Sequence, residues 1–268
     1  MARGFAQRQG VNYEETFAPV ANLDSIRVIL ALAQYDLKLD QMDVATAYLN
    51  GVLNEEIYLS PPPGVDIKPG HCWRLKRSLY GLKQASRTWN RTLDTKLTSL
   101  GFHRLNAETC LYVYRSKGQV CYLVVYVDDL LLAASSKKFM KDIKQILHNT
   151  YKMKDLGPAE FILGIEIKQD RTNHKISMSQ EQYVQTVLRR CGMAQLKPVS
   201  MPMIPNIKLL TDDSVDNSTM HHMTINGTNV SYASVVGSLM YGMMGTRPDI
   251  AFLVGVLGRY SANPKKCH

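Results

Sequence analysis

The stretch LVVYVDDLLLAA, residues 123–134, is two apolar runs around a pair of acids. The runs, 122–127 and 130–134, are of strand length and rich in strand-forming residues, so they predict a hairpin with Asp128 and Asp129 at its tip. Ordinary two-residue turns take Asn-Gly or Asp-Gly, because positive φ is needed there. Two adjacent aspartates instead repel each other, and apolar flanks raise the cost of ionising both. A divalent cation relieves that cost, since hard cations prefer carboxylate oxygen. The competing reading is a solvated acidic turn.

Upstream, Ile26, Ile29, Leu30 and Ala33 share one face of a helix expected over 24–36, capped by Asp24 or Ser25. Leu37 and Leu39 then alternate with Lys38 and Asp40, which predicts a strand running toward Asp43. A short helix is expected at 45–50, and Asp43 is either its N-cap or a third carboxylate for the hairpin pair. The segment 57–59 reads as extended and is stopped by Pro61, Pro62, Pro63 and Gly64. Ala85, Trp89, Leu93, Leu97 and Leu100 have helical spacing over 84–100, ended by Gly101. Downstream, a lysine-studded helix is expected at 136–150 and an extended segment at 160–168. Ser179 and Gln182 match a capping box ahead of a helix ending near Gly192. Residues 198–231 are polar and read as irregular, while 232–260 read as helices. This order gives an α+β fold, a palm-like sheet backed by helices.

The net charge of the 268-residue chain is +9. Residues 71–105 carry Arg74, Lys76, Arg77, Lys83, Arg87, Arg91, Lys96 and Arg104 against the single acid Asp94. That concentration fits either a phosphate-binding surface or a solvated helix face. The five cysteines, Cys72, Cys110, Cys121, Cys191 and Cys267, have no CxxC spacing, which argues against a zinc site and for a reducing compartment. Residues 1–25 have no apolar signal region, and the long apolar stretches are too short or too charged to span a membrane. The expectation is therefore a non-secreted, intracellular protein without membrane contact. The Asn-x-Ser/Thr matches at Asn90, Asn217, Asn226 and Asn229 are then chance. The adjacent His221 and His222 lack further ligands, and the loop-like glycine spacing 237–242 has Met243 where a phosphate loop needs lysine.

Tyr126-Val127-Asp128-Asp129 resembles the active-site hairpin of reverse transcriptases. NYEETFAPVA (12–21), QMDVATAYLNG (41–51), EEIYLSPPPG (55–64), RLKRSLYGLKQASRTW (74–89), MKDLGPAEFILGIEI (153–167) and SLMYGMMGTRPDIAFLVGVLGRY (238–260) resemble copia-type retrotransposon enzymes, in the family's order. The resemblance implies a right-hand polymerase palm with partial fingers and a helical thumb and connection region. It implies a reverse transcriptase domain over 1–209, a linker over 210–231 and the start of a connection region over 232–268. It also implies RNA-directed DNA synthesis from deoxynucleoside triphosphates on an RNA or DNA template-primer, with two Mg2+ ions for which Mn2+ can substitute. Asp43, Asp128 and Asp129 match the catalytic, metal-holding aspartates. Tyr48 matches the aromatic gate at the sugar, and Tyr80, Gly81 and Lys83 match a nucleotide-facing loop. Arg74, Lys76, Arg77, Arg87 and Arg91 would grip the template-primer. Ser86 stands where many members have proline. The match begins inside the fingers and stops before an RNase H domain. The expectation is therefore a chain truncated at both ends that polymerises poorly unaided; the alternative is a silent remnant that at most binds nucleic acid.

Overall fold

A computed structural model describes residues 2–66, 68–204, 209, 221–225, 227–265 and 268. Met1, Asn217, Asn226, Cys267 and much of the 210–231 linker lie outside the described residues. The chain divides into two compact units, one of residues 1–159 and 169–176 and one of 160–168 and 177–268.

The first unit is built on the hairpin read from the sequence. In chain order its strands are β1 (Lys38–Val44), β2 (Tyr58–Leu59), β3 (Trp73–Arg74), β4 (His103–Arg104), β5 (Leu111–Ser116), β6 (Gln119–Tyr126), β7 (Asp129–Ala134) and β8 (Met153–Pro158). Six of them form an antiparallel sheet in the order β4-β5-β6-β7-β1-β8. The apolar strands β6 and β7 are central, where both sheet faces are covered. β8 (MKDLGP) is one of the two edges, and its mostly exposed residues explain why no apolar period marks it. β2 and β3 pair separately as a short ribbon.

Three helices complete this unit: α1 (Leu23–Ala33), α2 (Ala85–Ser99) and α3 (Lys137–Thr150). α2 buries Ala85, Trp89, Leu93 and Leu97, four of the five residues that the spacing predicts, while Leu100, at its C-cap, is only partly buried; α3 buries Met140, Ile143 and Leu147. Trp89, Leu93 and Leu97 of α2 and the α3 stripe join one core with Met42, Val44, Leu123, Val125, Leu130 and Leu132 from the sheet. Each large apolar side chain removed from water this way contributes about 1.5–3 kcal/mol before chain entropy is counted. Gly101, at φ +92°, ends α2 as expected.

The helix starts differ from the reading. α1 begins at Leu23, and neither Asp24 nor Ser25 caps it. Asp24 pairs with Arg27, and Ser25 donates its hydroxyl to Glu108, 83 positions away in sequence. Local pattern cannot supply that partner. The short helix expected at 45–50 is a 3-10 turn, Ala47–Asn50, entered through Thr46 at φ +54°.

The second unit contains β9 (Phe161–Ile162) paired with the start of β10, a strand over Ile165–Asp170 whose last two residues, like the first two of the strand after it, fall within the first unit. The extended segment expected at 160–168 is therefore broken, at Leu163 and Gly164, both with positive φ. After β11 (Lys175–Ser179) come α4 (Glu181–Arg190), a hairpin of β12 (His222–Ile225) and β13 (Thr228–Ser231), α5 (Tyr232–Gly245) and α6 (Ala251–Gly258). The hairpin corrects the irregular reading of its part of 198–231. Ser179 Oγ accepts from Glu181 N rather than from Gln182, so the expected capping box does not form. Tyr183 ties α4 to α5 by donating to the Ser238 carbonyl at 2.9 Å, and its ring meets Tyr241 edge-on. Among the described residues no helix is long and apolar enough to cross a membrane.

Candidate active site

Strand register brings the sequence-distant carboxylates together. Asp43 near the end of β1 is the antiparallel partner of Asp129 at the start of β7. Tyr126 and Asp129 also pair, so the turn residues are Val127 and Asp128, and only Asp128 of the two aspartates sits in the turn itself. The Val44 amide donates to the Asp128 carbonyl at 2.9 Å and fastens the turn to β1. Asp43 lies inside the strand and caps no helix. The start of the 3-10 turn is Thr46, without a side-chain cap.

The turn is strained. Val127 has φ +59°, a region that β-branched residues avoid, at a cost of about 1–3 kcal/mol. Trp89, buried under the turn on α2, donates its indole N–H to the Val127 carbonyl at 2.6 Å. Its ring packs edge-on against Tyr151, with centroids 5.2 Å apart, which holds the indole in place. The sequence marks Trp89 only as a core residue. Its donor could have been suspected because a buried indole N–H needs an acceptor.

Gln41, two residues before Asp43 on the same face of β1, is buried and donates to Asp129 Oδ1 at 3.1 Å. Strand alternation would have placed Gln41 beside Asp43, but no motif draws attention to it. Burial raises the Asp129 pKa, the Gln41 hydrogen bond opposes that shift, and the carboxylates of Asp128 and Asp43 add to it. The Tyr80 phenol is also raised, by burial and then by Asp128, Tyr48 and Asp43. Asp43, Asp128, Tyr48 and Tyr80 are thus one electrostatic neighbourhood. Among the described residues no three His, Cys, Asp or Glu side chains stand in a shared metal-ligating arrangement. The side chains that the register collects, Asp43 and Asp129, are carboxylates, which are hard oxygen donors.

Tyr48 and Tyr80 rings lie 4.5 Å apart, and Tyr48 Oη shares a 2.9 Å hydrogen bond with Ser86 Oγ. Tyr48 also lines a cavity of about 300 Å³ with Phe17, Pro19, Trp89, Val125 and Val127. The loop that follows is covered by the N-terminal segment. Ala2 N donates to the Tyr80 carbonyl at 2.8 Å, and Lys83 N donates to Gln7 Oε1 at 2.8 Å. Gly81 has φ +99°, and a Cβ there would fall 2.2 Å from the Ala2 carbonyl oxygen. The close approach that requires glycine at 81 is therefore to Ala2. Lys83 Nζ contacts the Gln7 carbonyl and the Tyr13 hydroxyl and lies over the Tyr13 ring.

The basic stretch is partly neutralised within the chain. Arg87 pairs with Glu15 and donates to the Phe17 carbonyl, Arg74 pairs with Glu56, and Arg104 pairs with Asp94. Arg77 makes a long hydrogen bond to the Asn50 carbonyl. Lys76 and Arg91 are exposed and make no ion pair among the described residues.

Comparison with known proteins bears directly on this geometry. Residues 1–205 match the family described as "Reverse transcriptase (RNA-dependent DNA polymerase)". The whole chain is similar to the retrovirus-related Pol polyprotein from transposon TNT 1-94 of Nicotiana tabacum, 42% identical over 272 residues and 20% of that protein's length. It is 35% identical to the Pol polyprotein from transposon RE2 of Arabidopsis thaliana, again along all of this chain and 18% of the relative. A putative transposon Ty5-1 protein of Saccharomyces cerevisiae is 34% identical over 229 residues, 85% of this chain and 71% of that protein. The chain thus spans about a fifth of the length of the polyproteins it matches.

Proposed function

Because the chain belongs to the reverse transcriptase family of copia-type transposons, we propose that it is an RNA-directed DNA polymerase core that extends a primer with deoxynucleotides. The observation that carries this reading is the register that sets Asp43 opposite Asp129, with Asp128 fastened beside them by the Val44 amide. In this reading Asp43 and Asp128 hold the divalent ions, Mg2+ by preference with Mn2+ as substitute. Bound there, such a pair stabilises the charge on the attacking and leaving oxygens of a phosphoryl transfer. Asp129 assists from the side and is steadied by Gln41.

Tyr48 would close the floor beneath the incoming sugar, its ring braced by Tyr80 and its hydroxyl by Ser86. Tyr80 and Gly81 would border the nucleotide. Lys83 would reach a triphosphate only by leaving Gln7 and Tyr13. Lys76, Arg77 and Arg91 would meet template-primer phosphates, with Arg74 and Arg87 doing so by exchanging their carboxylate partners. On this basis the six-stranded sheet with α2 and α3 is the palm. The residues before β1 and the β2–β3 ribbon are the fingers, and the second unit begins the thumb and connection.

The test is magnesium-dependent extension of a DNA primer on an RNA template by Asp43→Asn and Asp128→Asn variants. Each exchange keeps the size and removes the charge, and the expected loss in rate is about a hundredfold or more. Template-primer affinity should change by less than about threefold, because the phosphate-facing cations are untouched. Wild-type extension by Asp128→Asn overturns the assignment.

A further inference from the structure

The β2–β3 ribbon carries a feature that the carboxylate site does not use. The sequence has two tryptophans, and they have opposite environments. Trp89 is 2% exposed beneath the Val127–Asp128 turn, whereas Trp73 is 43% exposed on the ribbon. A single exposed apolar side chain is ordinary, so the meaning of Trp73 depends on its surroundings.

The register pairs Tyr58 with Arg74 and Leu59 with Trp73, so each pair lies on its own face of the ribbon. On the first face the polar groups are satisfied: Tyr58 donates to Glu56 at 3.2 Å, and Arg74 pairs with Glu56 at 2.8 Å. The second face is apolar. At its inner end Ile57 is buried with Leu82 and Ala85, and Leu75 and Tyr48 pack against the same small cluster. Trp73 lies two residues out from Leu75, roughly 6–7 Å along an extended strand. One apolar face therefore starts beside Tyr48 and ends in an open indole.

Charge completes the pattern. Residues 67–83 hold Lys68, Arg74, Lys76, Arg77 and Lys83 and no Asp or Glu. Lys68, Lys76 and Arg77 are exposed. Arg74 lies on the opposite face and is paired with Glu56, so the cations left near the indole along the chain are Lys68 before it and Lys76 and Arg77 after it. An exposed indole offers a flat π-face to a base and such cations offer positive charge to its phosphates, the combination used to hold unpaired strands. We propose that Trp73 is a stacking platform for an unpaired base, and that this end of the ribbon binds single-stranded nucleic acid. The identification of that strand as template rests on the polymerase reading above; the binding itself does not.

The two tryptophans make the test direct. Titrating the 268-residue chain with a ten-nucleotide oligouridylate should quench the exposed Trp73 emission and leave the buried Trp89 emission unchanged. Trp73→Leu should weaken oligouridylate binding, followed by anisotropy of a labelled strand, by about fivefold to a hundredfold, the loss of one base stack. Trp73→Phe should keep most of the affinity, which separates stacking from folding. A blunt duplex of ten base pairs should bind both variants as it binds the wild type. Unquenched emission, equal single-strand affinity in Trp73→Leu, or an equal loss for duplex would each overturn the proposal. A chain that extends primers without quenching refutes the platform alone, and one that quenches without extending primers refutes the polymerase reading alone.

Discussion

At the scale of the residue, the Val127–Asp128 turn is a balance between strain and one hydrogen bond. Val127 sits at φ +59°, and the carbonyl that this conformation turns inward is met by Trp89 at 2.6 Å. Trp89→Phe keeps most of the buried ring and deletes the donor, leaving a carbonyl without its partner at a cost of about 1–3 kcal/mol. Primer extension by Trp89→Phe is expected to fall about tenfold or more in kcat with little change in the KM for template-primer. Val127→Gly should restore a good part of it in the double variant, because glycine adopts positive φ without strain. Additive losses in the double variant would show that Trp89 acts only as core packing. The same balance explains why a valine is tolerated where an ordinary hairpin would use glycine or asparagine.

At the scale of the element, α1 depends on a cap from far along the chain. Glu108 accepts hydrogen bonds from Asn22 N, Ser25 Oγ and Cys110 N, at 3.3, 2.7 and 3.2 Å, and so places a carboxylate at the positive end of the helix. Burial alone would raise the Glu108 pKa, but these hydrogen bonds outweigh it and hold the group below its ordinary value of 4.5. A carboxyl depressed in the folded state contributes stability above its unfolded pKa and loses it as pH falls through the folded value. Glu108→Gln should therefore cost about 1 kcal/mol at pH 7. Urea unfolding at successive pH values should show the gap between variant and wild type closing below about pH 4.5. A gap that stays constant down to pH 3 would mean that Glu108 acts through shape rather than charge. α3 is secured in a comparable way, since Lys144 reaches both Asp40 on β1 and Asp155 on β8. That contact ties the helix to the strand that carries Asp43.

At the scale of the whole molecule, the +9 charge is less available to a ligand than the sequence suggests. Binding of a polyanion releases counterions in proportion to the phosphates neutralised, so affinity should fall steeply with salt. Glu15 and Glu56 already neutralise Arg87 and Arg74, whereas Lys76 and Arg91 have no ion-pair partner among the described residues. Replacing Lys76 and Arg91 by Gln should thus flatten the log affinity against log salt slope by roughly two phosphate equivalents. Replacing Arg87 and Arg74 should flatten it less, because each removal also frees a glutamate to repel the ligand. Equal slopes for the two double variants, measured by anisotropy on one template-primer, would show that the internal ion pairs open freely on binding.

The sequence by itself determined the elements whose burial is written in their own period. The hairpin around Asp128, the stripe Ala85–Trp89–Leu93–Leu97 and the apolar face of α1 all stand where spacing predicts them. The motifs also sufficed to identify the family, because YVDD and the segments around it occur in one order along the chain. Only the tertiary structure decided which distant groups meet. It set Asp43 against Asp129, gave Gln41 and Trp89 their partners, assigned Glu108 to α1, and made a strand of the polar segment 153–158 by pairing it with β1. The physical reason is range. A helix or a central strand is selected by solvent acting on neighbouring side chains, which leaves a local period. Hydrogen bonds, ion pairs and edge-strand pairing join residues tens of positions apart, and the period of either partner carries no trace of the other.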